Sequence, residues 1–104
     1  MAKYRVFVDD NSHFMDEDER YQLGAFESEA AAIVACQRLV DSDLLGMYEP
    51  GMTAARLFEL YALFGSDPFV MPVDPDTARV TFSARTYARE RCHVLTRERD
   101  TSPG

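Results

Sequence analysis

The segment KYRVFV near the N-terminus sets Tyr4, Val6 and Val8 on one side of an extended chain and Lys3, Arg5 and Phe7 on the other. Successive side chains of a strand point to opposite faces, so this alternation commits the chain to a sheet with one better-buried face. RYQLGAF repeats the pattern with Tyr21, Leu23 and Ala25, and the two strands are predicted to pair as an antiparallel hairpin. If they end at Asp9 and Arg20 the connection is ten residues, well beyond the usual hairpin of about two to five. Either the strands run on toward Phe14, or the loop has internal order of its own.

The periodicity changes after Ser28, which is placed to cap a helix whose first turn carries Glu29 beside the positive end of the dipole. Ile33, Cys36, Val40 and Leu44 recur at helical spacing, flanked by Ala32 and Leu39, while Gln37, Arg38, Asp41 and Ser42 fall mostly elsewhere. Gly46 is read as the stop, and GMYEPGM as a loop. Thr53 caps a second helix, AARLFELYALFG, whose final Gly65 suits a left-handed cap. SDPFVMPVDPDTA holds three prolines and is expected to be an extended loop. Alternation returns in RVTFSA, with Val80, Phe82 and Ala84 inward, and a last helix over residues 85–96 sets Ala88, Cys92 and Leu95 against a row of arginines.

The predicted order is strand, strand, helix, helix, strand, helix: an α+β fold with a three-stranded antiparallel sheet, the third strand beside the first and helices on one face. Its 104 residues suffice for one modest core. A single domain is expected over residues 1–96, with residues 97–104 frayed. With 46% hydrophobic and 28% charged residues the composition is that of a globular protein. No apolar run reaches the roughly 18 residues of a membrane span, and the charged N-terminal strand is unlike a signal peptide. A cytoplasmic protein without membrane partners is expected, with Cys36 and Cys92 as free thiols.

The net charge of −7 is unevenly spread: residues 1–78 carry 15 acidic and 5 basic side chains, residues 79–104 carry 3 acidic side chains and 6 arginines. An acidic body repels a polyanion, which argues against nucleic acid as a partner. Between the first two strands lie Asp9, Asp10, Asn11 and His13, then Asp16, Glu17, Asp18 and Glu19. Asp9, Asn11 and His13 share one face of an extended backbone, and with Asp10 they form a candidate divalent-metal site, the imidazole favouring Mn²⁺ or another transition metal. A calcium loop starting at Asp9 fails, because Phe14 and Arg20 stand where Gly and Glu are needed. The simpler account is a solvated turn whose Phe14 and Met15 fold back on the core.

Cys92 and His93 are adjacent on a helix and diverge by roughly 100°, so they cannot share one zinc ion. No nucleophile elbow, paired-carboxylate scaffold or phosphate-cradling glycine loop is present, so an enzyme is not favoured and no cofactor is expected. Arg85 and Arg89, four apart on the last helix, form a candidate grip on a carboxylate or phosphate near Phe82 and Tyr87, although an exposed arginine row more simply faces water. From residue 57 to 64 the second helix is apolar almost all round, apart from Glu59 and the Tyr61 hydroxyl. One small core cannot readily cover every side of it, so Leu57, Leu60, Tyr61 and Phe64 form a candidate homodimer interface. The leading expectation is a non-enzymatic, self-associating module that shows its acidic loop to a protein partner.

The segment YRVFVDDNSHFMDEDERYQLG, followed by EAAAIVACQRLVD, LYALFGSDPF and YARERC, resembles a family of small uncharacterised bacterial proteins. The likeness runs over nearly the whole chain up to Cys92. It implies a single-domain bacterial cytosolic protein without an established activity, so it carries no catalytic residues over to this sequence.

Overall fold

The computed structural model describes residues 2–10, 21–74, 76–77 and 80–100. The elements are β1 (Tyr4–Asp10), β2 (Tyr21–Phe26), α1 (Glu29–Met47), α2 (Ala54–Phe64), β3 (Ser66–Pro72) and α3 (Ala84–Asp100). The strands form one antiparallel sheet in the order β2-β1-β3, and the fold is α+β as predicted. Tyr4, Val6 and Val8 of β1 and Val70 of β3 are buried, and Tyr4, Val6 and Val70 pack with Ala32 and Cys36 of α1. The opposite face carries Arg5, Ala25 and Met71, all exposed, around the half-buried rings of Phe7 and Phe69.

The third strand is not the predicted one. β3 forms from residues expected to be loop, because its prolines sit where a strand tolerates them. Among the described residues β3 pairs only with β1, which leaves its other edge open there. The Val73 N–H donates to the Lys3 carbonyl, and counting back by twos turns the amides of residues 71, 69 and 67 toward β1. Residues 72, 70, 68 and 66 then face the open edge, where Pro68 and Pro72 forfeit no ladder bond. RVTFSA is the converse case. Val80 and Ala84 are buried and Thr81 and Ser83 exposed, as the alternation predicted, yet residues 80–83 belong to no strand. Alternating burial requires only an extended chain, whereas a strand also requires a neighbour with unpaired backbone.

β2 departs from its predicted face. Val6 lies opposite Gly24 but Phe7 lies opposite Gln22, so the register shifts and Leu23 is the additional residue of a bulge. Phe26 and Gly24 stand opposite the buried Tyr4 and Val6, while Leu23 and Ala25, expected inside, are exposed. The ten residues 11–20 between these strands, including the possible extension toward Phe14, lie outside the described residues.

The helix starts follow the predicted caps. Ser28 Oγ accepts from the Ala31 N–H at 3.1 Å and Thr53 Oγ1 from the Arg56 N–H at 3.1 Å. α1 runs through Gly46 to Met47, where the Tyr48 N–H bonds the Leu44 carbonyl. Gly65 ends α2 with φ −82°, not in the left-handed region. Glycine is needed there for room: a Cβ on Gly65 would lie 2.4 Å from Cδ2 of the Tyr61 ring. α3 starts one residue early at Ala84, with Ser83 Oγ accepting from Thr86 N–H, and continues through residues expected to fray; residues 101–104 lie outside the described part.

A second core joins the helices to one another. Val40 and Leu44 of α1, Leu57 and Tyr61 of α2, and Ala84, Ala88, Cys92 and Leu95 of α3 are buried together. Phe82 packs against both this cluster and the one beneath the sheet. At about 25 cal/mol per Å² of apolar surface, each fully buried leucine contributes about 1.5–3 kcal/mol. Asp41 of α1 ties α3 on: it accepts from the Tyr87 hydroxyl and pairs with Arg91 Nε, both at 3.0 Å.

Candidate functional site

A pocket of about 410 Å³ opens along the free edge of β3. One wall is β3 itself, through Asp67, Pro68 and Phe69. The other is the entry to α3, through Phe82, Ser83, Ala84 and Arg85, with the Tyr61 ring of α2 completing it. The start of β3 is anchored by two bonds that use up its outward-facing backbone groups. Asp43 of α1 accepts from the Ser66 N–H at 2.7 Å, and the Tyr61 hydroxyl donates to the Ser66 carbonyl at 2.5 Å. Three elements therefore set the position of Asp67.

The electrostatics of this corner are mixed. Asp67 stands directly opposite Asp9 across the β1–β3 pair. Its carboxyl is held above the usual carboxylate range by burial first and by the Asp9 charge second, with the Arg85 guanidinium pulling the other way. Burial, followed by the charges of Asp67 and Asp43, also pushes the Tyr61 hydroxyl well up, so it remains a proton donor at neutral pH. Among the described residues Arg85 and Asp67 join no ion pair. Both line the pocket, and the Arg85 charge acts on the Asp67 carboxyl.

Arg85 and Arg89 are not brought to one site. Arg85 lines the pocket, whereas the Arg89 guanidinium lies over the Phe58 ring, 5.0 Å from its centroid. Phe82 and Tyr87, expected beside both arginines, lie 6.1 Å apart by ring centroids, and only Phe82 reaches the pocket. Arg91 pairs with Asp41 through its Nε at 3.0 Å.

Of the predicted metal set, Asp9 lies at the end of β1 on the sheet's outer face, and Asp10 ends the strand opposite Ser66. Asn11 and His13 lie outside the described residues, and among the described residues no cluster of metal-ligating side chains occurs. Of the predicted interface, Leu57 and Tyr61 belong to the chain's own core and are not available to a partner. α1 and α3 cover the side of α2 that was expected to need a second subunit. Leu60 is half-buried, and Phe64 is 61% exposed beside Leu63 at 52%.

Both thiols are buried and free, and burial pushes each up to about 11. Neither is a nucleophile at neutral pH. Asp67 and Asp43 were not singled out by sequence reasoning. The usable signal was the alternation of Ser66, Pro68, Val70 and Pro72 against Asp67, Phe69 and Met71, which reads as an edge strand once the prolines are allowed on one side. No helix among the described residues is long and apolar enough to cross a membrane. Comparisons with protein-family models, curated proteins and solved structures find no match for this chain.

Proposed function

We propose that this protein is a non-enzymatic, self-associating binding module, and that two copies meet through the outer face of the sheet rather than through α2. The observation that carries this reading is the order of side chains on that face of β1. Arg5 and Asp9 stand two residues to either side of Phe7, and Phe7 stacks on Phe69 at 5.9 Å. A second copy turned by half a revolution about an axis through these rings sets Arg5 of each chain over Asp9 of the other. An isologous interface needs this kind of self-complementary patch. Ala25 and Met71 extend the apolar centre. Cys36 and Cys92, buried in separate clusters and joined in no disulfide, fit a cytoplasmic place of action.

The test is the mass in solution, measured by light scattering during size exclusion. A dimer is expected for the wild type and a folded monomer for Phe7→Lys. Arg5→Asp and Asp9→Arg should each weaken the dimer, and the double variant should restore it, because the swap regenerates both contacts. A monomeric wild type, or a dimer indifferent to Phe7→Lys, overturns the reading.

A further inference from the structure

We infer that the pocket beside β3 binds a small zwitterion of the apolar α-amino acid class, with its ammonium on Asp67 and its carboxylate on Arg85. The pocket shares Phe69 with the face proposed for self-association and sets Asp67 beside Asp9, but binding needs no second copy. A pocket of about 410 Å³ falls in the range of roughly 300–1,000 Å³ typical of small-molecule sites. Its polar groups are few and opposed: a carboxylate on the β3 wall, a guanidinium on the α3 wall, and no ion pair closing the gap. A simple anion would meet Arg85 but also the negative field of Asp67 and Asp9, and a simple cation would meet the reverse conflict. A ligand carrying both charges a few ångströms apart satisfies each wall. Between them lie Pro68 and the rings of Phe69 and Phe82, which suit an apolar side chain. A guanidinium holds a carboxylate by two parallel hydrogen bonds, so Arg85 supplies orientation as well as charge.

The ligand also fits the chemistry of Asp67. Among the described residues the partly buried carboxyl joins no ion pair, and an ammonium beside it favours its ionised form. Binding should therefore release protons at pH values where Asp67 is partly protonated in the free protein. The anchor bonds of Ser66 to Asp43 and Tyr61 preset the β3 wall, so little ordering is needed on binding.

The experiment is a ¹H–¹⁵N NMR titration of the full chain with L-phenylalanine and L-leucine, and with two truncated analogues, phenylalaninamide and 3-phenylpropionate. Amide shifts at residues 67–71 and 82–86 are expected with both amino acids. Each analogue should bind at least about tenfold more weakly than phenylalanine, having lost one charged contact. Asp67→Asn should abolish the preference for phenylalanine over 3-phenylpropionate, and Arg85→Gln the preference over phenylalaninamide, with spectral dispersion reporting that both variants fold. Absence of shifts with either amino acid overturns the inference. So does a truncated analogue that binds as tightly as phenylalanine. Arg5→Asp, at a position opposite Met71 and away from the pocket lining, should keep the titration intact, and this separates the site from the proposed dimer contact.

Discussion

β1 and α2 each carry large apolar side chains on two sides, and in each the described residues bury only one side fully. On β1, Val6 is fully buried under α1 while its neighbour Phe7 stands on the open face against Phe69. On α2, Leu57 and Tyr61 are sealed between α1 and α3, whereas Leu63 and Phe64 at the helix end remain exposed. The difference between the two elements lies in what surrounds the uncovered side. Around Phe7 the flanking charges are of opposite sign and symmetrically placed along the strand, while no charged residue lies within two positions of Leu63 or Phe64. Apolar content alone therefore does not identify an interface; the arrangement of charge around it carries the information.

The largest effect that sharpens this contrast is expected from truncating the two sides of α2 separately. Leu57→Ala should cost about 2–5 kcal/mol of unfolding free energy in chemical denaturation, and Phe64→Ser less than about 0.5 kcal/mol. Equal losses would break the distinction between a covered and an uncovered side. A smaller loss, about 1–3 kcal/mol, is expected for Gly65→Ala, since the new methyl must displace the Tyr61 ring from the covered side. A neutral result by thermal melting would mean that ring is not held as tightly as its burial implies.

The smallest effect concerns the tie between α1 and α3 that closes over α2. Removing the Tyr87 hydroxyl by Tyr87→Phe should cost about 1 kcal/mol near neutral pH. Burial, then the hydrogen bond to Asp41 and its charge, raise the Tyr87 hydroxyl from 10.0 to about 12 in the folded chain. The sign follows from linkage. A folded value above the unfolded one means a stabilisation fully present below pH about 10 and lost as pH rises toward 12. The wild type should therefore lose stability through that window faster than the variant, and parallel pH profiles would count against the Asp41 bond.

The proline-bearing segment shows how far local pattern reaches. SDPFVMPVDPDTA has the composition of a loop, and its residues 66–72 form an edge strand because the prolines all fall on the unpaired side. RVTFSA has the pattern of a strand, and residues 80–83 are bound into no ladder although their burial alternates. The bulge at Leu23 likewise moved Ala25 outside and Phe26 inside, since one inserted residue exchanges the faces of everything beyond it. One wall of the pocket was partly legible: Arg85 was named from its spacing to Arg89, with Phe82 nearby, but Arg89 was diverted to Phe58, which no reading of α3 alone would show. Asp67 was missed because its significance depends on standing opposite Asp9, a relation between residues far apart in the chain.

By itself the sequence determined the α+β class, the two predicted helix caps at Ser28 and Thr53, the buried stripe of α1 and the free thiols. These follow from interactions within a few residues, where period and hydrogen-bonding side chains act directly. Tertiary structure decided which extended segment became the third strand, which side of α2 was covered, and which charges came to face each other across the pocket. Those outcomes depend on backbone partners and packing surfaces supplied by distant residues, so no local pattern could settle them.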